Sequence, residues 1–150
     1  MRACLTTGLI LLLATAVRLA GAAAAENYTP PTTDAFLKSI HAYPFVAGAA
    51  RRDQIRTGVP RLTRCMASPD VRKLLGNPDF GFVAYKAGTE GKVPSMVIWN
   101  YILEKKAATE TEPGSRVLVW FDMQAKLRAV TVHGAPDLEA TVSRTSRSCS

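Results

Sequence analysis

A short helix is delimited at both ends by the sequence Ser68-Pro69-Asp70-Val71-Arg72-Lys73-Leu74-Leu75-Gly76-Asn77-Pro78. Ser68 is a favoured N-cap residue, Pro69 suits the first helical position, and an acidic residue at position 70 complements the helix dipole. The apolar side chains that follow form one face. Gly76 can adopt the left-handed conformation that ends many helices, and Pro78 prevents continuation. We therefore predict a two-turn helix here.

After this helix the apolar residues alternate with a period of two, which is typical of β-strands. This pattern predicts four strands, over residues 80–85, 96–103, 117–121 and 127–132. Loops rich in Gly, Pro and charged residues separate the first three strands. Residues 122–126 have the length of a hairpin loop. An antiparallel meander is expected.

Two further helices are predicted before Ser68. Asp34 is a plausible N-cap for residues 35–40, and residues 49–66 have helical spacing that Pro60 can interrupt. Residues 26–33 are interpreted as a flexible leader, and residues 136–150 as a polar tail. Residues 34–135 then form one α+β domain, with two or three N-terminal helices packed on a three- to four-stranded antiparallel sheet.

The N-terminus has the three parts of a secretory signal peptide. Arg2 supplies the positive charge, residues 9–17 form an apolar run, and residues 21–25 offer small-residue cleavage sites. The apolar run is far shorter than the ~20 residues that cross a bilayer, so we expect no membrane span. Ala22 stands where a lipoprotein signal has its lipidated cysteine, so no lipid anchor is expected. The sequence predicts cleavage after Ala25 and a soluble periplasmic protein.

Export also restricts the partners that a basic chain would bind. Loss of Arg2 and Arg18 with the signal leaves 17 basic and 12 acidic residues, a net charge of 17 − 12 = +5. A moderately positive surface favours acidic partners in general. Arginines recur over residues 51–64, but an exported protein does not meet nucleic acid, so we interpret them as a solvated helix face and expect no nucleic-acid partner.

Cys65 and Cys149 remain after the signal is removed. An oxidising compartment favours their pairing, and the alternative is two unpaired thiols. A bond between them would close a long loop and contribute roughly 4–5 kcal/mol in the chain-entropy account. Two distant cysteines and two histidines have no zinc-ligand spacing, and we expect no metal or other cofactor.

The order of several motifs resembles the BamE (SmpA/OmlA) family of small bacterial envelope proteins. The motifs are the helix that ends at Leu75-Gly76-Asn77-Pro78, then Trp99-Asn100-Tyr101, then residues 117–122 with their terminal Phe-Asp, then residues 127–130. The resemblance spans about residues 54–132 and implies helices packed on a small antiparallel sheet. It departs from the family at Ala22, where most members carry a lipidated cysteine, and at Ala125, where the strand turn commonly has glycine.

No residues form a recognisable catalytic motif. His41 and His133 have no nucleophile elbow or hydrolase motif near them, and the acidic residues Glu90, Glu104, Glu110 and Glu112 are interpreted as solvated charges. The chain is therefore predicted to be non-enzymatic. The resemblance implies a periplasmic binding or assembly protein whose partner is an envelope protein or outer-membrane assembly component. The alternative is an inhibitor or immunity protein that blocks an enzyme with the loop over residues 86–94.

Strands two and three carry more apolar side chains than one buried sheet face requires. Helices cover one face, so the surplus suggests that part of the other face meets the tail, a second copy in a homodimer, or a partner. Aromatic residues dominate interface hot spots. The candidate partner surface is therefore predicted at Trp99, Tyr101 and Trp120.

Overall fold

A computed structural model describes residues 28–89, 91 and 93–142 of the chain. The helices are α1 (Thr33–Ser39), α2 (Ala49–Gly58), α3 (Ser68–Leu75) and α4 (Pro136–Val142), and a 3₁₀ turn spans Val59–Arg61. The strands are β1 (Phe45–Val46), β2 (Phe80–Tyr85), β3 (Pro94–Lys105), β4 (Ser115–Phe121) and β5 (Leu127–His133). The predicted signal segment, residues 1–25, lies outside the described residues, and so does Cys149.

The strands form one antiparallel sheet. β2, β3, β4 and β5 pair in chain order, which is the predicted meander. β1 pairs with the last two residues of β3, on the side that β2 occupies further along the same strand. β1 and β2 therefore lie end to end along one edge of the long strand β3, and β5 forms the opposite edge.

The α+β class is confirmed, but the described part of the chain contains five strands rather than three or four, and its helices are not all N-terminal. β1 has only two residues, too few to show a period of two, and pairing with β3 holds it in place. α4 follows the sheet where a polar tail was predicted. The reason is tertiary: Leu138 is buried against the core, and Asp137 pairs with Arg56 at 2.9 Å.

The helix α3 ends as predicted, with Gly76 at a φ of 75°. Its N-cap is Ala67 and not Ser68, because the preceding segment pairs with the start of β5. The Cys65 N–H donates to the Leu127 carbonyl at 2.8 Å, and the Ser68 N–H donates to the Ala125 carbonyl at 3.0 Å. This pairing determines where the helix begins.

The helices before α3 differ from their predicted limits. α1 begins at Thr33, since the Thr32 hydroxyl and not Asp34 caps it by accepting the Ala35 N–H at 3.2 Å. The helix predicted over residues 49–66 ends at Gly58, and Pro60 lies in the 3₁₀ turn that follows. Proline thus ends the regular helix, as its missing N–H requires.

The main core lies between the helix layer and one face of the sheet. Alternate residues of β3 (Trp99, Tyr101 and Leu103) and of β4 pack against α2, α3 and α4. On the opposite face α1 covers a smaller cluster formed by Phe36, Phe80 and Ile102. The sheet is thus apolar on both faces, because each face has its own helical cover over part of its length.

Candidate binding site

A cavity of about 370 Å³ opens at the end of the sheet where β2 finishes and β3 begins. Its floor is the helix-facing side of the sheet, and Ser68 at the start of α3 also lines it. The floor residues are Val83, Val97, Trp99 and Phe121. We call this space the open-end cavity. Its volume lies within the range of small-ligand and side-chain sites, roughly 300–1,000 Å³.

The leader forms one wall of the open-end cavity. The Tyr28 ring meets the Trp99 ring edge to face, with 5.8 Å between centroids, and the Arg72 guanidinium lies 4.5 Å from the centroid of the Tyr28 ring. The Gly81 N–H donates to the Pro31 carbonyl at 3.0 Å. A Cβ at Gly81 would overlap the Pro30 ring, so glycine permits this close approach. From Tyr28 onwards, the described residues of the predicted leader thus contact the sheet and α3.

The hairpin between β4 and β5 forms the other wall, and Asp122 holds it in shape. One carboxylate oxygen accepts the N–H groups of Gln124 and Lys126, each at 2.9 Å, and the other pairs with Arg128 at 2.6 Å. Burial raises the pKa of Asp122, but these hydrogen bonds and the Arg128 charge outweigh burial and lower the pKa below its ordinary value. Met123 and Ala125 of this hairpin line the cavity.

The surface around the cavity is unusually apolar. Seven large hydrophobic residues are exposed in the described part of the chain, and five of them lie at this end of the sheet. They are Phe82, Val83, Tyr85, Val93 and Met123, with exposed fractions between 40% and 51%. We call these five residues the apolar rim. Contiguous exposed apolar surface of this kind marks interaction sites in monomeric proteins.

The structure separates the three residues that the sequence predicted as a partner surface. Trp99 and Tyr101 are buried in the helix-facing core, at 4% and 0% exposure, so the prediction is wrong for them as an exposed surface. Trp120 lies on the opposite face of the sheet, half-buried, and its indole N–H donates to the Thr131 hydroxyl at 3.2 Å. Trp99 nevertheless reaches the floor of the open-end cavity.

The apolar rim was not predicted from the sequence. Phe82 and Val83 are neighbours in a strand, and a period of two predicts that only one of them is buried. Both are exposed because β2 is an edge strand that no helix covers at this end. The available signal for the apolar rim was that apolar residues stand at the end of a predicted strand, next to a loop.

Tyr101 belongs to a structural network on the far side of α3. The Arg51 guanidinium donates to the carbonyls of Leu75 and Asn77, lies 5.1 Å from the Tyr101 ring centroid, and stands 3.9 Å from Asp79. Asp79 accepts the Ile102 N–H at 2.6 Å. Burial raises the pKa of Asp79 and of Tyr101 above their ordinary values. Arg51 thus satisfies the carbonyls at the end of α3 and ties that helix to the sheet.

The structure places the two histidines on separate elements and engages two of the predicted acidic residues locally. His41 follows α1 and His133 ends β5, and both are exposed. Glu110 and Glu112 are engaged locally, with the Lys106 N–H and the Arg116 side chain. Within residues 28–89, 91 and 93–142, no cluster of three or more His, Cys, Asp or Glu side chains could hold a metal ion.

Comparisons with protein families, with curated proteins and with solved structures found no match to this chain. In the described residues, no helix has both the length and the apolar composition needed to cross a bilayer. The open-end cavity with its apolar rim is the site that the geometry supports best.

Proposed function

We propose that this chain is an exported, non-enzymatic binding protein of the bacterial envelope, and that it holds an apolar part of another envelope protein at the open-end cavity. One observation carries the proposal: five large hydrophobic residues are exposed at the end of the sheet that holds a cavity of about 370 Å³ with an aromatic floor, and three of the five, Phe82, Val83 and Met123, line that cavity. Interface hot spots are pockets of this kind, in which a ring of peripheral contacts excludes water from one central anchor.

The construction of the cavity suits recognition. The Tyr28–Trp99 ring contact and the carboxylate of Asp122 hold its walls in place. Binding would therefore cost little conformational entropy in these walls. The floor offers aromatic and aliphatic carbon, which favours an apolar side chain as occupant. The signal-like N-terminus and the motif order that resembles the BamE family both support the periplasm as the setting and an outer-membrane assembly component as the partner.

The test is capture of envelope proteins by the exported protein, by two rim variants and by one control variant. We expect Val83→Glu and Met123→Glu to lose the captured partner while their melting temperatures stay near that of the wild type, since both side chains are exposed. Val46→Glu is the matched control, because Val46 is equally exposed but lies at the other end of β3. Capture that survives in both rim variants would contradict the proposal.

An inhibitor of an enzyme is the second candidate, and the loop predicted over residues 86–94, whose last residue begins β3, favours it. This loop leaves the same end of the sheet, carries exposed Val93, and has Gly88 and Gly91 at φ values of 76° and 75°. If the captured protein is a hydrolase or toxin, and if Val93→Glu abolishes its capture, the inhibitor proposal is supported. An assembly component supports the first proposal.

A further inference from the structure

The edge strand beside the open-end cavity has backbone groups with no partner among the described residues. The N–H of Gly81 points away from β3, because it donates to the Pro31 carbonyl on the outer side. Backbone groups alternate in direction along a strand. Those of Val83 therefore also point outward. The strand register shifts between Ala84 and Tyr85, but the next N–H, that of Lys86, donates towards β3 to the Val93 carbonyl at 2.8 Å, so the groups of Tyr85 point outward too. No described residue pairs with the outward groups of Val83 and Tyr85.

The leader shows that this edge accepts an extended chain. Pro31 makes one strand-like hydrogen bond at Gly81, and the leader then turns away into α1 at Thr33. The two positions that remain on the outer edge of β2 lie directly beside the cavity, since Val83 also lines it. An extended segment would thus find both a continuing hydrogen-bonding edge and, within one strand spacing of about 4.8 Å, an apolar cavity.

Two lysines at this end of the sheet, one on each side of the open-end cavity, favour one class of occupant. Lys86 follows β2 and Lys126 follows the hairpin wall, and neither side chain has a carboxylate partner in the part of the chain that the structure describes. Without its predicted signal the chain carries 17 − 12 = +5 charges. Positive charge without a carboxylate partner at the mouth of the cavity favours an acidic chain as the occupant.

We propose that an extended acidic segment of a protein partner adds to β2 as a strand at Val83 and Tyr85 and inserts one large apolar side chain into the open-end cavity. This inference rests on the proposed function and specifies how the partner is held. Main-chain hydrogen bonds supply affinity, the cavity selects the anchor residue, and Lys86 and Lys126 attract the acidic flanks.

The probe is a library of random peptides displayed on phage and selected on the exported protein. We expect enriched peptides to carry one aromatic or large aliphatic residue between acidic residues, and their binding to weaken as salt is raised. Enrichment of basic peptides, or of none, would overturn the inference.

Addition of the peptide to β2 as a strand, which we call the strand mode, is tested by changes in the selected peptide and in β2. Two sets of alternate N–H groups in the peptide are methylated in turn. Methylation of the set that faces β2 should reduce the affinity of the peptide at least about tenfold, and methylation of the set that faces away should change the affinity little. Val83→Pro removes the outward N–H, and Val83→Ala is its control for the lost side chain. Since an edge strand tolerates proline where the N–H faces outward, the variant should fold, and the N-methylated peptides test the same bond on unaltered protein.

The outcomes separate this inference from the proposed function. If both N-methylated registers bind alike while Val83→Glu and Met123→Glu still lose capture, the strand mode is wrong and the open-end surface stands. If the rim variants keep their partner, the proposed function itself fails. A concentration-dependent dimer in analytical ultracentrifugation that Val83→Pro abolishes would overturn the inference in favour of a second copy.

Discussion

Among the residues that the structure describes, two that are not glycine have a left-handed backbone: Cys65 with a φ of 68° and Ala125 with a φ of 57°. They lie on facing segments, since Cys65 bonds to Leu127 and Ser68 bonds to Ala125. This conformation is unfavourable for residues with a Cβ. The pairing of the segment before α3 with the start of β5 stabilises it, and it allows the hairpin to form one wall of the cavity.

We expect Ala125→Gly to stabilise the protein. A left-handed backbone costs an L-residue about 1–2 kcal/mol, and the substitution removes this cost. Glycine has more backbone entropy in the unfolded chain, which lowers the gain in stability by about 0.5–1 kcal/mol. The free energy of unfolding in urea should rise by about 0.5–1 kcal/mol. Ala125→Val is the control and should lower it. A lower value for the glycine variant would show that Ala125 is not strained.

Asp79 and Asp122 should give opposite pH dependence. The pKa of Asp122 is lowered, so its contribution is complete above the unfolded value of about 3.9 and disappears as the pH falls through the native pKa. The pKa of Asp79 is raised, so its contribution is complete below about pH 3.9 and declines as the pH rises through the native pKa.

The Asn variants measure this difference. Relative to the wild type, Asp122→Asn should show its largest loss of stability above about pH 4, and Asp79→Asn should become relatively more favourable as the pH rises above about 4. Urea unfolding across this range is the measurement, and each variant is the control for the other. Parallel curves for the two variants would contradict the assigned environments.

At the scale of elements, the contact between α2 and α3 requires a residue without a side chain. A Cβ at Gly58 would stand 2.6 Å from Leu75 Cδ2 and 2.8 Å from the Leu74 carbonyl oxygen. The second of these is backbone, which cannot move aside without displacing α3. Gly58 therefore determines how closely the two helices approach, and through α3 it affects the position of the cavity.

Gly58→Ala should destabilise the protein although alanine favours helix. The gain in helix propensity is about 1 kcal/mol, whereas overpacking against backbone costs about 1–3 kcal/mol. Thermal unfolding should show a lower melting temperature. Gly114→Ala is the control, because a Cβ there meets its nearest neighbour at an ordinary 3.6 Å. Equal effects of the two substitutions would show that the helix contact is not tight.

At the scale of the whole molecule, the predicted disulfide would join the segment before α3 to the C-terminal end of the chain. Cys65 lies where that segment pairs with β5. Its proposed partner Cys149 lies outside the described residues, so the bond stays a prediction. We expect Cys149→Ser to lower the melting temperature of exported protein and to have no effect under reducing conditions. Labelling of both thiols in native protein would refute the bond.

The signal peptide also stays a prediction, and intact mass is its measurement. Exported protein should begin within residues 23–26, because each of these positions follows a small-x-small site. A retained Met1 or a lipid-modified N-terminus would contradict the export argument.

Local chemistry in the sequence determined the helix α3 with its C-terminal glycine, the four strands of the meander and the α+β class. Capping residues and a period of two act over a few neighbouring positions, so they can be recognised without the fold. Only the tertiary structure decided that Trp99 and Tyr101 face the helices, because a period of two defines two faces and does not say which one is covered. The same holds for the leader contact, β1, α4 and the open-end cavity. They depend on contacts between residues far apart in the chain, and a local sequence pattern does not indicate such contacts.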